Sequence, residues 1–231
     1  MQELRSLALY HGYSSFQFGL FVNHTLIAED QIEGTGTCAN FLPKLEQLLT
    51  KTNTSLSNIA FCAAYTGPGS FTALRVTLAF ANGFAFAQNI PLVGVSGFEA
   101  LAKNLAQKSE SKYLIQAFKA FGEEIYLQIT DPQKVILLET CTPAKGAVEL
   151  LKLITATSPC YFVGNGIPLL LEYIGSSYIR SHPKNVLDLT PAPNLHDVAT
   201  CGLENYLQQT QEHQLVYNLQ PTYLKNPPAH T

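Results

Sequence analysis

Residues 59–96 read IAFCAAYTGPGSFTALRVTLAFANGFAFAQNIPLVGVS. The organisation of the chain follows from this stretch. Ile59–Ala64 is an unbroken apolar run of strand length. Gly67-Pro68-Gly69 is a tight turn, in which proline presets φ and glycine accepts a positive φ. A helix is expected from about 72 to 88, capped by Ser70 or Thr72. A short strand, Pro91–Val95, follows it. Ser96-Gly97-Phe98-Glu99 then has the form of a capping box, opening a helix that runs to about 107.

Two features of the stretch bear on function. Gly67, Gly69, Ser70 and Thr72 form a loop before a helix start, whose backbone N–H groups can hold an anion. The spacing is G-x-G-x-x-T, which is neither a dinucleotide fingerprint nor a P-loop, so a plain turn with a cap is the favoured reading of these residues alone. The helix itself carries one charge, Arg75. A surface helix in a free monomer shows a polar face, and this one does not. Ala79, Gly83 and Ala87 recur at intervals of four, a small-residue seam along which another helix can approach. The alternative is a helix buried on every side in its own core.

Working outward, Leu4–Tyr10, Phe16–Val22 and Leu26–Ile32 read as strands, the last two joined at Asn23-His24. A helix is expected over 38–50, where Phe41, Leu42, Leu45, Leu48 and Leu49 repeat at helical spacing. The second half repeats this order. Tyr113–Phe118, Glu124–Thr130 and Val135–Glu139 are strands; a helix over 143–155, the strand Cys160–Val163, a Gly164-Asn165-Gly166 turn and a helix over 167–174 follow. Asn185–Asp188 is a short strand, and Asn194 caps a last helix over 195–209 with Asp197 in its first turn. The tail 227–231 is expected to be disordered. Two copies of strand-strand-strand-helix-strand-helix-strand-helix imply two similar α/β subdomains, 1–107 and 108–231, with a cleft between them. Actin, heat-shock-chaperone ATPases and sugar kinases, all ribonuclease-H-like, have this plan.

Composition narrows the function. Of 231 residues, 46% are apolar, enough for a substantial core, and only 13% are charged, about half the usual share. A net charge of −3, with 14 Lys and Arg spread along the chain, argues against tight RNA binding by the chain alone. Cys38, Cys62, Cys141, Cys160 and Cys201 form no CxxC pair or disulfide framework and read as free thiols in a reducing cytosol. The start of the sequence lacks the pattern of a signal peptide, and the most apolar run, Val76–Ala87, is too short for a membrane span. A cytoplasmic protein is expected. The six histidines make no H-x-x-x-H pair, and His196-Asp197 at a helix start reads as cap chemistry rather than a metal site. Ser70 is not in a G-x-S-x-G elbow.

Thr66–Val76, Gly83 and Asn89–Ser96 together resemble the signature of the TsaB (YeaZ-like) family, with Ala73 in place of a usual glycine. Phe41-Leu42-Pro43, Gly164-Asn165-Gly166 and Pro221-Thr222-Tyr223-Leu224-Lys225 are weaker matches to it. The resemblance is dense from 59 to 101 and thin after 110. It implies a fold like that of the catalytic subunit TsaD, without its metal site, and pairing with TsaD through helices of the first subdomain. A small ATPase, TsaE, joins them, and the complex transfers a threonylcarbamoyl group from an adenylate to N6 of the adenosine beside certain tRNA anticodons. On this resemblance the pairing face comprises Phe41, Leu45, Leu48, Thr72, Arg75, Val76, Ala79, Phe80, Gly83 and Ala87. A homodimer through the same helices is expected without the partner, and tRNA is met only through the complex. No cofactor or metal is expected in the chain alone, with ATP or ADP at the interface of the complex.

The chain departs from the family pattern in three places. Tyr10-His11-Gly12 stands where the first strand usually ends Asp-Thr-Ser, Thr37 where a histidine often precedes the first helix, and Lys119-Ala120-Phe121 where Asp-Ala-Arg is usual. In ATPases of this fold, acidic residues at the ends of these strands position Mg²⁺ and water. Tyr10 and Lys119 remove the hard oxygen ligands that Mg²⁺ prefers. The expectation is therefore a non-catalytic subunit with a degenerate nucleotide site. Its rivals are a sugar-kinase-like phosphotransferase using the Gly67–Thr72 loop, a glycoprotease-like peptidase, and a homodimeric scaffold.

Overall fold

The computed structural model describes residues 3–12, 14–34, 36–105, 109, 111–181, 184–189 and 192–224. They form two compact units. The first is residues 1–100 with 193–222, and the second is 101–192 with 223–231. The expected disorder of the tail 227–231 lies outside the described residues.

In the first unit, β1 (Arg5–His11), β2 (Ser15–Val22) and β3 (Thr25–Glu33) form an antiparallel meander, and Asn23 turns the β2–β3 hairpin at φ +52°. β4 (Ile59–Gly67) runs parallel to β1, and β5 (Leu92–Ser96) parallel to β4, giving the order β3-β2-β1-β4-β5. Helices cover both faces, which is why β1 and β4 read as nearly continuous apolar runs. Leu7 and Leu9 of β1 and Cys62 and Ala64 of β4 share one core with α1 (Thr37–Lys51) and α2 (Phe71–Gln88). The alternate residues Ala8, Tyr10, Phe61, Ala63 and Tyr65 share another core. α3 (Gly97–Asn104) follows β5, and residues 106–107, the expected end of this helix, lie outside the described residues. The carboxylate of Glu99 accepts from Asn205 Nδ2 at 2.9 Å.

The second unit repeats the order. β6 (Tyr113–Lys119), β7 (Glu124–Thr130) and β8 (Ile136–Pro143) are antiparallel, and β9 (Cys160–Val163) and β10 (Val186–Asp188) add in parallel, giving β10-β9-β6-β7-β8. α4 (Ala144–Thr157) and α5 (Ile167–Ile174) bury Ala147, Leu151, Ile167 and Leu170 against Ile115, Ala117 and Phe162. The Gly164-Asn165-Gly166 turn closes on β6: Gly166 N donates to Ala117 O at 2.8 Å, and a Cβ at Gly164 would run into that same carbonyl. A short helix, α6 (Ser176–Arg180), was not expected from the sequence.

The subdomain boundary needs correcting. Residues 108–231 do not form one subdomain, because α7 (Leu195–Gln211) returns to the first unit. Its Leu195, Val198, Ala199, Cys201 and Leu203 pack on Ala8, Phe61 and Val93. The expected cap is present as a reciprocal box: Asp197 N donates to Asn194 Oδ1 at 3.0 Å and Asn194 N donates to Asp197 Oδ2 at 2.9 Å. Gly202 sets the approach, since a Cβ there would lie 2.5 Å from Ala63 Cβ. Gly202→Val is therefore expected to lower the unfolding free energy by about 1–3 kcal/mol, read as a lower urea midpoint at unchanged slope.

Candidate functional site

The loop before α2 is built from within. Gly67 has φ +118°, and a Cβ there would meet Leu74 Cδ1 at 3.1 Å and Thr222 O at 3.3 Å. The Gly67–Pro68 peptide is cis, and Tyr65 Oη donates to Pro68 O at 2.7 Å. Ser70 occupies the N-cap position, but its side chain makes no capping bond. Gly67 is buried, Gly69 half-buried, and Ser70 and Thr72 exposed. The structure thus brings the four loop residues together as a turn rather than as a cradle of capping side chains.

α2 is neither wholly buried nor ordinarily amphipathic. Ala73, Leu74, Thr77, Leu78, Ala81 and Ala85 face the core. Thr72, Arg75, Ala79, Gly83, Phe86 and Ala87 are exposed, and Val76 and Phe80 are half-buried. Arg75 lies over the Phe71 ring, 4.0 Å from its centroid. The exposed side is therefore a strip of small and apolar residues with one cation along its margin. A Cβ on Gly83 would meet nothing within 4 Å.

Three expected pairing residues do not belong to this strip. Phe41, Leu45 and Leu48 of α1 are buried at 0%, 3% and 5% exposure, because their helical spacing serves their own core. Phe41 packs against Phe80 with centroids 4.5 Å apart. Leu42, which the sequence pattern grouped with them, is instead 61% exposed. Phe86, at 89% exposure, went unnoticed in the sequence. Its signal was available: it lies three and seven residues beyond Gly83 and Ala79, on the same side of the helix.

The two strand ends at which a Mg²⁺ site would need carboxylates are filled differently in each unit. Tyr10, at the end of β1, is buried edge-on to Tyr65, with centroids 5.1 Å apart. Lys119 ends β6 exposed, and its backbone N donates to Asn165 Oδ1 at 2.9 Å. Among the described residues, no group of three or more His, Cys, Asp or Glu is placed to hold a metal ion. None of the described helices is long and apolar enough to cross a membrane.

The sequence pattern of residues 38–147 matches the family model described as TsaD, tRNA N6-adenosine threonylcarbamoyltransferase. The chain is 28% identical over 123 residues to the tRNA threonylcarbamoyladenosine biosynthesis protein TsaB of Escherichia coli K12, covering 53% of each chain. It is 25% identical over 135 residues to TsaB of Haemophilus influenzae, covering 58% of this chain and 57% of that one. The matched stretch thus spans about half the length of these curated relatives. A Pseudomonas aeruginosa protein described by its similarity to the peptidase YeaZ superposes with a TM-score of 0.68 at 20% identity, over 96% of this chain and 100% of that one. Sheet order and superposition define a two-unit α/β fold shared with that protein. Within that class the chain is similar in sequence to the TsaB proteins.

One titratable group lies close to the candidate face. His11 ends β1, its ring edge-on to Phe16 at 5.7 Å and its Nδ1 buried without a hydrogen-bond partner. Burial pushes the imidazole below its ordinary pKa, against an opposing contribution from the backbone of Ala73. The unfolded chain takes up this proton below about pH 6.5, whereas the folded chain resists it to lower pH. Unfolding then binds a proton, and stability falls as pH falls through that window. Urea midpoints at pH 7 and at about pH 5.5 are expected to differ less in His11→Phe than in the natural chain.

Proposed function

We propose that this chain is a non-catalytic accessory subunit that pairs with a TsaD-like catalytic subunit, with a TsaE-like ATPase joining them, in threonylcarbamoyl transfer to N6 of adenosine beside the tRNA anticodon. The observation that carries this reading is the exposed strip of α2. Thr72, Val76, Ala79, Gly83, Phe86 and Ala87 present a side of a long helix to solvent with Arg75 as its one charge. Burying Phe86 alone against a partner would be worth about 1.5–3 kcal/mol. The small residues beside it allow close helix approach, and Leu42 is a further exposed apolar side chain on α1. The relatives named for threonylcarbamoyladenosine biosynthesis, and the match of residues 38–147 to the TsaD model, support a TsaD-like partner.

The chain's own residues do not fit an autonomous Mg²⁺-nucleotide site. In the first unit the buried Tyr10 ring takes the place of a carboxylate, and in the second Lys119 brings a cation where a metal would need an anion. This supports placing the chemistry in the partner, with any ATP or ADP held at the joint interface. In this reading the chain meets tRNA only through the complex.

Gly83→Trp tests the reading directly. The open space above Gly83 lets the natural and variant chains fold alike, with matching circular dichroism and unfolding midpoints. Co-purification of the TsaD-like subunit with the tagged natural chain, and its loss with the variant, is the expected result. Normal recovery with the variant would overturn the assignment of the face. Sub-millimolar Mg²⁺-ATP binding by the chain alone, read by calorimetry, would favour the kinase-like rival.

A further inference from the structure

Asn82 is a polar residue in the middle of an apolar helix. Its side-chain amide is matched group for group by the backbone of the C-terminal segment. Asn82 Nδ2 donates to Leu219 O at 2.9 Å, and Leu219 N donates to Asn82 Oδ1 at 2.8 Å. An amide side chain carries the same donor and acceptor as a peptide group, so the pair works like one rung of a sheet. The same segment is tied at two further points. Leu92 N, on the edge strand β5, donates to Val216 O at 2.7 Å, and Thr222 N donates to Thr66 O at 3.0 Å. Leu219 packs against the core that α1 and α2 share, over Gly94, where a Cβ would lie 3.1 Å from Leu219 Cδ2. Thr222 O closes on Gly67 at the other end. Residues 216–222 thus fasten β5, the middle of α2 and the loop before α2 to one another.

The placement of these fastenings relates them to the exposed strip. At about 100° per residue, Asn82 lies about 80° to one side of the line through Thr72, and Phe80 about 80° to the other. Phe80 packs on Phe41 of α1. The strip is therefore flanked by α1 on one side and by the C-terminal segment on the other. We propose that residues 216–222 act as a latch that sets α2 and the 67–70 loop for pairing and forms the second wall of the pairing face. Asn82 is the positioning residue that closes it. The latch is mostly exposed and held chiefly by hydrogen bonds, which places it among the segments that open locally at low cost. This inference rests on the pairing role proposed above.

The full-length Asn82→Ala chain tests it by amide hydrogen exchange and by titration with the TsaD-like subunit. Both bonds to Leu219 are lost, so the Leu219 and Thr222 amides are expected to exchange about tenfold faster or more, with partner affinity about tenfold weaker. Asn82→Asp keeps an acceptor for Leu219 N and should fall between the two. Val198→Ala, a cavity on α7, lowers global stability without touching the latch and should leave affinity unchanged. Unchanged Leu219 exchange in Asn82→Ala would overturn the latch. So would fast exchange with undiminished affinity, or an equal loss of affinity in Val198→Ala. These outcomes are separable from failure of the pairing role, which would appear as partner binding that Gly83→Trp leaves intact.

Discussion

The parallel pairing of β1 with β4 is the constraint from which the rest of the first unit follows. Leu7 sits opposite Cys62, Ala8 opposite Ala63 and Leu9 opposite Ala64, so neighbouring residues of each strand must find apolar cover on opposite faces of the sheet. One face is met by α1 and α2, the other by α7. Because Ala63 is small and Gly202 has no side chain, α7 settles close to the sheet. Because β4 ends at Gly67, the turn that follows delivers α2 with Leu74, Leu78, Ala81 and Ala85 already facing inward. The exposed strip is what remains of α2 after that demand is satisfied.

Most of this was legible in the sequence, for identifiable reasons. Strands buried on both faces leave long apolar runs, so β1, β4, β6 and β9 were placed within a few residues. Turn chemistry marked Asn23 and the Gly67 loop, and the Asn194–Asp197 spacing marked the start of α7. Helical periodicity, however, reports that a helix has an apolar side, not which sheet receives it. That is why α7 was assigned to the wrong unit, and why Phe41, Leu45 and Leu48 were read as interface when they are core. α6 was missed because five residues are too few for a periodic signal.

The candidate site was legible only in part. The scarcity of charge on α2 marked the helix that carries the exposed apolar strip; of its seven expected residues five are exposed, and Val76 and Phe80 are half-buried. Phe86 escaped because attention to small residues hides a large one beside them. The role of Asn82 could not be read at all, since Leu219, its partner, is 137 residues away in the chain.

The return of α7 makes the first unit discontinuous in sequence, and this carries a consequence for biosynthesis. The sheet, α1 and α2 are all complete once residue 100 has been made, but the face formed by Ala8, Phe61 and Val93 waits for residues 195–203. For the time needed to translate almost a hundred residues, roughly five to twenty seconds at 5–20 residues per second, that face lacks its α7 cover. The nascent chain then exposes apolar surface on both sides of one sheet layer at once: the uncovered face, and the strip on α2. Such a chain is a natural client for holding chaperones, and the second unit, folding in the interval, acts as an insertion that delays closure of the first.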